Sequence, residues 1–310
     1  MLQQLLAEYK ISIKSPDTEE KLDLLLYRPI GFIFAKIGQI LHSTPTHLSL
    51  LGLITGVVGG WLYFYHESTI SLVLGPILFV ISGIFDSSDG QLARLTGQSS
   101  QLGLILDGIC DNFVFASVYI FSTLATKEIY GYGNWIFLVM LLAGFCHSFQ
   151  SAILDFYHRE YLYFGYGKTE KGDYWNPTIA EAQNNIKESK KFREKIFHKL
   201  RYSWIYQQQT LSGRLPKNRL KMRTIILNSA DPKRSDFMNA YKKHNLKMLT
   251  LWRIGGPNFH TVMIIIFVLF RHFDLYLIYV DLIGINLILL VNKKIQEHQD
   301  KKLYNQFNVS

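Results

Sequence analysis

Apolar and polar positions fall in long blocks along this chain, not at a short period. Six stretches are apolar on every helical face: 48–65, 70–85, 102–124, 135–154, 257–270 and 275–291. Several are shorter than the roughly 20 residues a spanning helix needs, and one more turn from the flanks brings each close to that length. A segment with no polar face is stable as a helix in lipid, where every backbone group must be satisfied within the segment. The pattern therefore predicts an all-α integral membrane protein built as a six-transmembrane-helix bundle. Residues 22–41 differ, because Leu, Ile and Phe recur there at helical spacing with Arg28 and Lys36 between them. That is the pattern of an amphipathic helix lying on the membrane surface. Gly255-Gly256-Pro257 interrupts the fifth stretch, and a helix from about Leu246, bent at Pro257, is expected there. The first fourteen residues are too polar for a cleavable signal peptide.

The polar blocks set the organisation. Residues 1–43 form an arm and the interfacial helix, 44–155 carry spans one to four, and 156–247 are a basic, aromatic-rich insertion. Residues 248–292 carry the last two spans and 293–310 the tail. A loop as long as the insertion needs structure of its own. Its 180–199 stretch is rich in Glu, Lys, Ala and Gln and predicts a helix; 233–243 predicts another after Asp231-Pro232, while 220–228 fits no template well. The insertion is expected to pack over the mouth of the site, as a lid, an acceptor-binding subdomain or a surface for partners.

The chain carries a net charge of +9, and about two-thirds of its 33 Lys and Arg lie between Arg159 and Arg253. The connections 66–69, 127–134 and 271–274 are short and hold few of them. The positive-inside rule then puts both termini in the cytoplasm, with a bacterial-type cytoplasmic membrane the favoured location. Basic charge on that side suits an anionic leaflet and membrane lipids. Nucleic acid is not an expected partner, since no basic nucleic-acid module is visible. The two cysteines, Cys110 and Cys146, lie in apolar stretches and read as buried small residues. Cys110 is expected on a different helix face from its neighbour Asp111.

Against the apolar background one stretch is out of place. From Asp86 the chain reads Asp-Ser-Ser-Asp-Gly-Gln-Leu-Ala-Arg; eight residues later comes Gly-Leu-Ile-Leu-Asp-Gly-Ile-Cys-Asp, ending at Asp111. Four carboxylates at the edge of a membrane are unfavourable unless a cation binds them. On a helix Asp86 and Asp89 share a face, and Gly103, Asp107 and Asp111 line one stripe. Two helices with two aspartates each would converge on one or two hard cations, which prefer oxygen donors. The polar residues 95–102, with Gly97 among them, read as the turn between those helices. Gly90 and Ala93 leave room for a flat ligand, and the planar cation of Arg94 suits phosphate oxygens.

The whole pattern, D-x-x-D-G-x-x-A-R-x8-G-x3-D-x3-D, resembles the signature of the CDP-alcohol phosphatidyltransferase family, with no position missing. The resemblance covers the membrane core, about two-thirds of the chain. It implies a membrane enzyme with a surface helix before its first span, a CDP-linked donor, a hydroxyl acceptor and two divalent ions, Mg²⁺ or Mn²⁺. Carried over, Asp86, Asp89 and Asp107 would be metal ligands. Asp111 would complete the second metal site and take the acceptor's proton. Gly90, Ala93 and Arg94 would cradle the cytidine and its diphosphate, with Gly103 leaving room. Upstream, Thr44-Pro-Thr-His-Leu-Ser-Leu-Leu-Gly is similar to the family's P-N-x-x-T-x-x-G opening. Thr46 stands for the Asn and Ser49 for the Thr, departures that put their nucleotide contact in question; both also suit a simple helix start. A homodimer is implied by resemblance only.

The motif reads the CDP group and leaves the rest of the donor open. Six spans with a basic mouth favour CDP-diacylglycerol as donor. The favoured acceptor is a polyol phosphate such as inositol phosphate or glycerol phosphate, although 147–165 lacks the Arg-x-Arg pattern of such relatives. Arg159 and Arg253 are candidate acceptor-phosphate ligands, and His147 is a candidate for an acceptor hydroxyl; snorkelling cations and a packing histidine are the plainer readings. Transfer of a head-group phosphate from a CDP-linked polar alcohol to a lipid or polyol-phosphate acceptor is the alternative chemistry. A cation-binding transporter or a non-catalytic scaffold is the alternative of another class.

Overall fold

The computed structural model describes residues 2–308 except 14, 16, 99–100, 169–176, 213–215 and 229. Ser99 and Ser100 of the expected turn, and 169–176, 213–215 and 229 of the insertion, thus lie outside the described residues. Among the described residues there are helices and no strands. Six helices are long and apolar enough to cross a membrane: Pro45–Leu62, Thr69–Thr96, Leu106–Tyr130, Trp135–Gly165, Arg234–Leu269 and Phe273–Phe307. The chain is an all-α integral membrane protein. Its contacts divide it into two compact units, Met1–Gly144 with Thr261–Val280, and Phe145–His260 with Asp281–Ser310.

The first unit holds α1 (Leu2–Ser12), α2 (Arg28–Ile40), α3 (Pro45–Leu62), α4 (Thr69–Thr96) and α5 (Gln101–Tyr130). A π turn, Asp23–Tyr27, leads into α2. Pro45 opens α3, and Thr44 and His47 form a reciprocal cap on its first turn, which satisfies donors that a helix start leaves free. One face of α3 is glycine: Gly52, Gly56, Gly59 and Gly60 are all buried. A β-carbon at Gly56 would lie 2.5 Å from Val114 of α5 and 2.6 Å from the Ser82 hydroxyl of α4. At Gly59 it would lie 2.9 Å from the Gly75 carbonyl. The three helices therefore approach backbone to backbone, as small residues permit in membranes. Ser82 of α4 donates to the Gly52 carbonyl at 2.7 Å, and Ser117 of α5 to the Val57 carbonyl at 3.0 Å. On α2 the small residues Gly31, Ala35 and Gly38 are buried, and Ala35 joins Leu48 and Leu92 in a common core.

The second unit contains the inner part of α6 (Trp135–Glu160), followed without a break by a π segment, Tyr161–Gly165. The fourth span thus runs on past the predicted limit at 154, because Tyr161, Leu162, Tyr163 and Phe164 are buried in protein. Next come α7 (Ile179–Glu188), α8 (Phe192–Ser212), α9 (Pro216–Leu227) and α10 (Arg234–Trp252); α11 (Pro257–Leu269) and α12 (Phe273–Phe307) are divided between the units, with Thr261–Val280 in the first. The predicted single helix over 180–199 is instead two. Ser189 is extended, with its hydroxyl donating to the Asn185 carbonyl at 2.6 Å, so α7 ends before the basic run begins. Of the 220–228 stretch, 220–227 is helical as the end of α9. The fifth span starts well before Leu246, at Arg234, and passes through a 3₁₀ turn, Arg253–Gly255, ahead of Pro257.

This unit is tied by polar pairs and rings. Arg219 of α9 and Glu160 of α6 form an ion pair at 2.8 Å, their side chains 3% and 0% exposed. Arg223 holds both oxygens of Glu181 at 3.1 Å, and Glu181 also caps α7 through Thr178. Tyr157 stacks on Trp252 with centroids 4.5 Å apart. Gln208 of α8 donates to the Ala152 carbonyl and to Asp155, at 3.2 and 2.7 Å.

Candidate metal and nucleotide site

The aspartates meet because α4 and α5 are both drawn against the glycine face of α3. Asp86 and Asp89 lie in the last third of α4, and Asp107 and Asp111 near the start of α5. Carboxylate oxygens of Asp86, Asp89 and Asp107 all lie within 4.8 Å of one another. Asp111 borders the same cavity, together with Asp86, Asp107, Ser49, Gly52 and Ser82. Asp89 is buried, Asp86 and Asp107 are half-buried, and Asp111 is the most exposed of the four. Among the described residues no lysine, arginine or histidine forms an ion pair with any of them. Like charges this close need a hard cation from outside the chain, and the ligand atoms that converge are carboxylate oxygens. The donor set fits divalent metal.

Ser49 on α3 donates to Asp89 Oδ2 in a short hydrogen bond, with the Pro45 carbonyl 3.3 Å from the same hydroxyl as the alternative acceptor. The hydroxyl that replaces the expected threonine is therefore engaged with the acidic cluster itself. Thr46 sits half-buried in the first turn of α3, where capping falls to Thr44 and His47. Gly90 and Ala93 follow Asp89 on α4. The Arg94 guanidinium lies along the helix beside Gly90, where a β-carbon would meet it at an ordinary contact distance of 3.4 Å. Gly103 lies in the first turn of α5, half-buried. Cys110 borders the same cavity as Asp111, contrary to the separate face expected for it. Neighbouring helix positions differ by about 100°, and both residues reach the cavity.

Several residues around the site carried no sequence signal. Arg94 Nε donates to the Ser12 carbonyl of α1. Gln91 donates to the Ser12 hydroxyl and to the Arg28 carbonyl, both at 3.1 Å. Arg28 pairs with Glu19 at 2.9 Å and reaches the Ser87 hydroxyl at 3.1 Å. The amino-terminal arm is thereby fastened to the face of α4 beside Asp86, Asp89 and Arg94. These contacts join residues up to 82 positions apart, beyond any local pattern; the one hint was unlike polar types in an otherwise apolar helix.

The candidate acceptor residues belong to the second unit. Arg159 pairs with Asp155 at 2.9 Å. It also lies within electrostatic reach of Arg201, whose pKa is pushed down to about 10, chiefly by burial and further by Arg159. Arg253 sits in the 3₁₀ turn, half-buried. His147 is buried and stacks on His260, with ring centroids 3.7 Å apart.

Fold and site together define a membrane-embedded α-helical protein with an oxygen-donor metal site between two spans. Residues 42–171 match the family model described as CDP-alcohol phosphatidyltransferase, a similarity confined to this segment of the chain. An archaetidylinositol phosphate synthase of Pyrococcus horikoshii is 29% identical over 86 residues, covering 27% of this chain and 44% of its own. A CDP-diacylglycerol–glycerol-3-phosphate 3-phosphatidyltransferase of Cereibacter sphaeroides is 30% identical over 116 residues, 37% and 50% of the two chains. A bifunctional IPC transferase and DIPP synthase of Thermococcus kodakarensis is 30% identical over 111 residues, 35% and 24%. The chain spans half or less of the length of these relatives. No solved structure matches it.

Proposed function

We propose that the protein is a metal-dependent phosphatidyltransferase of phospholipid synthesis. It would move a phosphatidyl group from CDP-diacylglycerol to the hydroxyl of a phosphorylated polyol and release CMP. The observation that carries this reading is the convergence of Asp86, Asp89 and Asp107, with Asp111 on the same cavity, next to the complete CDP-binding pattern. Asp86, Asp89, Asp107 and Asp111 would hold two divalent ions, Mg²⁺ or Mn²⁺. Bound there, the ions supply charge neutralisation for the diphosphate and the departing CMP. Gly90, Ala93 and Gly103 leave space for the nucleotide, and Arg94 presents a planar donor to its phosphates. Thr46 and Ser49 lie at its edge, where Ser49 also orients Asp89. Asp111, the most exposed of the four, takes the proton from the acceptor hydroxyl as its oxygen bonds to the phosphatidyl phosphorus and the bond to CMP breaks. The site faces the cytoplasm, where nucleotide donors and polyol phosphates are made.

Two observations support a phosphorylated acceptor. Relatives matched across the domain are named for inositol phosphate and glycerol 3-phosphate products or substrates. Arg159, which pairs with Asp155, also lies within electrostatic reach of a second cation, Arg201, and Arg253 and His147 would contact the remainder of the acceptor. The test is CMP release by the purified protein with Mg²⁺ or Mn²⁺, CDP-diacylglycerol and pooled polyol phosphates, with and without chelator. Acceptor- and metal-dependent CMP is the expected result. CMP formed only from a CDP-linked polar alcohol would move the assignment to head-group transfer, and none from any CDP donor would sink the reading.

A further inference from the structure

Helix α8 has two dissimilar parts. Its C-terminal half is bound to the fourth span. Gln208 donates to the Ala152 carbonyl and to Asp155, the Trp204 indole N–H donates to Asp155 at 3.4 Å, and the Tyr157 hydroxyl donates to the Ser212 carbonyl at 2.8 Å. Toward its start the helix turns Phe192, Ile196 and Leu200 outward, 78%, 44% and 52% exposed. They recur every four residues, so Phe192 and Leu200 each lie within about 40° of Ile196 around the helix. An outward apolar stripe of this kind marks a surface that something covers.

Charge says what covers it. Lys199 and Lys195 flank the stripe on one side, roughly 60° and 100° round from Ile196, and both are exposed. Glu194 lies about 160° away, where Lys191 is its ion-pair partner at 3.9 Å. Between Lys187 and Arg201 the sequence carries seven Lys or Arg and two Glu. Apolar side chains bordered by lysines suit a head-group layer, since the lysine stems lie along apolar surface while their ammonium groups reach lipid phosphates. A second copy of this chain fits poorly, because a two-fold contact through the stripe would bring the lysines of both copies together.

Depth along the fourth span agrees. Counted from Trp135, a helix rising about 1.5 Å per residue has crossed roughly 30 Å of hydrocarbon by about Asp155. Phe145 and Phe149, turned outward on the same helix at 63% and 36% exposure, precede that point. The contacts of α8 fall at Ala152, Asp155 and Tyr157. The helix is therefore moored at the level of the head groups.

We propose that α8 is a membrane-docking helix of the inserted region. Phe192, Ile196 and Leu200 enter the interface of an anionic leaflet, and Lys195 and Lys199 engage its lipid phosphates. The partner is a negatively charged phospholipid surface. The assignment does not depend on the transferase reading, since none of these residues belongs to the acidic site.

The test is hydrogen–deuterium exchange of the full-length protein in nanodiscs, read over 190–201 by mass spectrometry. Bilayers of dioleoyl phosphatidylcholine alone are compared with equal mixtures of that lipid and dioleoyl phosphatidylglycerol. Exchange in this segment should be about tenfold or more slower in the anionic bilayer at low salt, and the difference should shrink in molar salt. Lys195→Gln with Lys199→Gln should remove most of that difference, and so should Ile196→Gln with Leu200→Gln. Glutamine keeps helix propensity and these side chains are exposed, so both double variants should unfold in detergent at the wild-type temperature. If a variant unfolds early, the wild-type comparison alone decides. Equal exchange in the two bilayers, fast or slow, would overturn the proposal, as would an undiminished difference in either folded double variant. Fast exchange in both bilayers would leave the stripe to an acidic protein partner.

Discussion

The two units hold their helices together by opposite means. In the first, side chains are removed: Gly52, Gly56, Gly59 and Gly60 let α3 touch α4 and α5 almost backbone to backbone. In the second, side chains are added, with a buried Arg219–Glu160 pair, a Tyr157–Trp252 stack and glutamine bridges between helices. Close backbone contact fixes distances to fractions of an ångström and leaves no room for adjustment. That is what a carboxylate cluster needs if its oxygens are to stay within 4.8 Å of one another. Pairs between long side chains tolerate small shifts, and they occur where the chain carries an inserted helical region.

The largest expected effect lies in the rigid unit. Asp111→Asn should lower turnover by about 10²–10⁴-fold, the usual contribution of a general base, while binding of a CDP donor stays close to wild type by calorimetry. Equal loss of donor affinity would show that Asp111 serves binding and not proton transfer.

Next comes the buried pair of the second unit. Arg219→Ala should destabilise by about 3–5 kcal/mol, because Glu160 is then left buried with its charge uncompensated. The double variant Arg219→Leu with Glu160→Leu should recover most of the lost thermal stability. If it does not, the pair is bound to more of the unit than its own partner.

Gly56→Val should lower stability by about 1–3 kcal/mol through overpacking against Val114 and Ser82. It should lower activity more than stability, because α4 and α5 must move apart and take the aspartates with them. A Gly56→Val protein with full activity would mean that the cluster does not depend on that close approach.

The smallest effect is one of pH. Burial raises the pKa of Glu181, but the Thr178 backbone and hydroxyl and the Arg223 guanidinium outweigh it and hold the carboxyl below its usual 4.5. A depressed carboxylate contributes stability that is complete above the unfolded value and is lost as pH falls through the folded one. Thermal unfolding of wild type and Glu181→Gln should therefore differ at pH 6 and converge as pH falls through the folded value, which lies below 4.5. The difference should be only a few tenths of a kcal/mol, since Glu181 is 43% exposed and such pairs are screened.

The sequence spoke clearly where a signal is local. Apolar blocks located the six spans, since lipid leaves a chain few alternatives. The aspartate spacing pointed to one face of each of two helices, because helical periodicity is fixed. Legibility failed at long range. Nothing near Arg94 announces that Ser12 accepts from it, and nothing near Glu160 announces Arg219. The fourth span was read too short because Tyr161–Phe164 looks like the start of a polar loop when only its basic neighbours are considered. The unusual Ser49 was visible only as a departure, although its hydrogen bond to Asp89 places it at the cluster.

The fastening of α1 to Arg94 has a consequence for how this protein can change over generations. Helices in a bilayer can usually lengthen or lose a residue at an end with little effect. Here Ser12 presents its carbonyl to Arg94 and its hydroxyl to Gln91. One residue inserted inside α1 would turn everything before it about 100° around the helix axis relative to Ser12. The amino-terminal arm, which carries none of the candidate chemistry, should therefore tolerate substitutions at its outer positions and resist changes in its length.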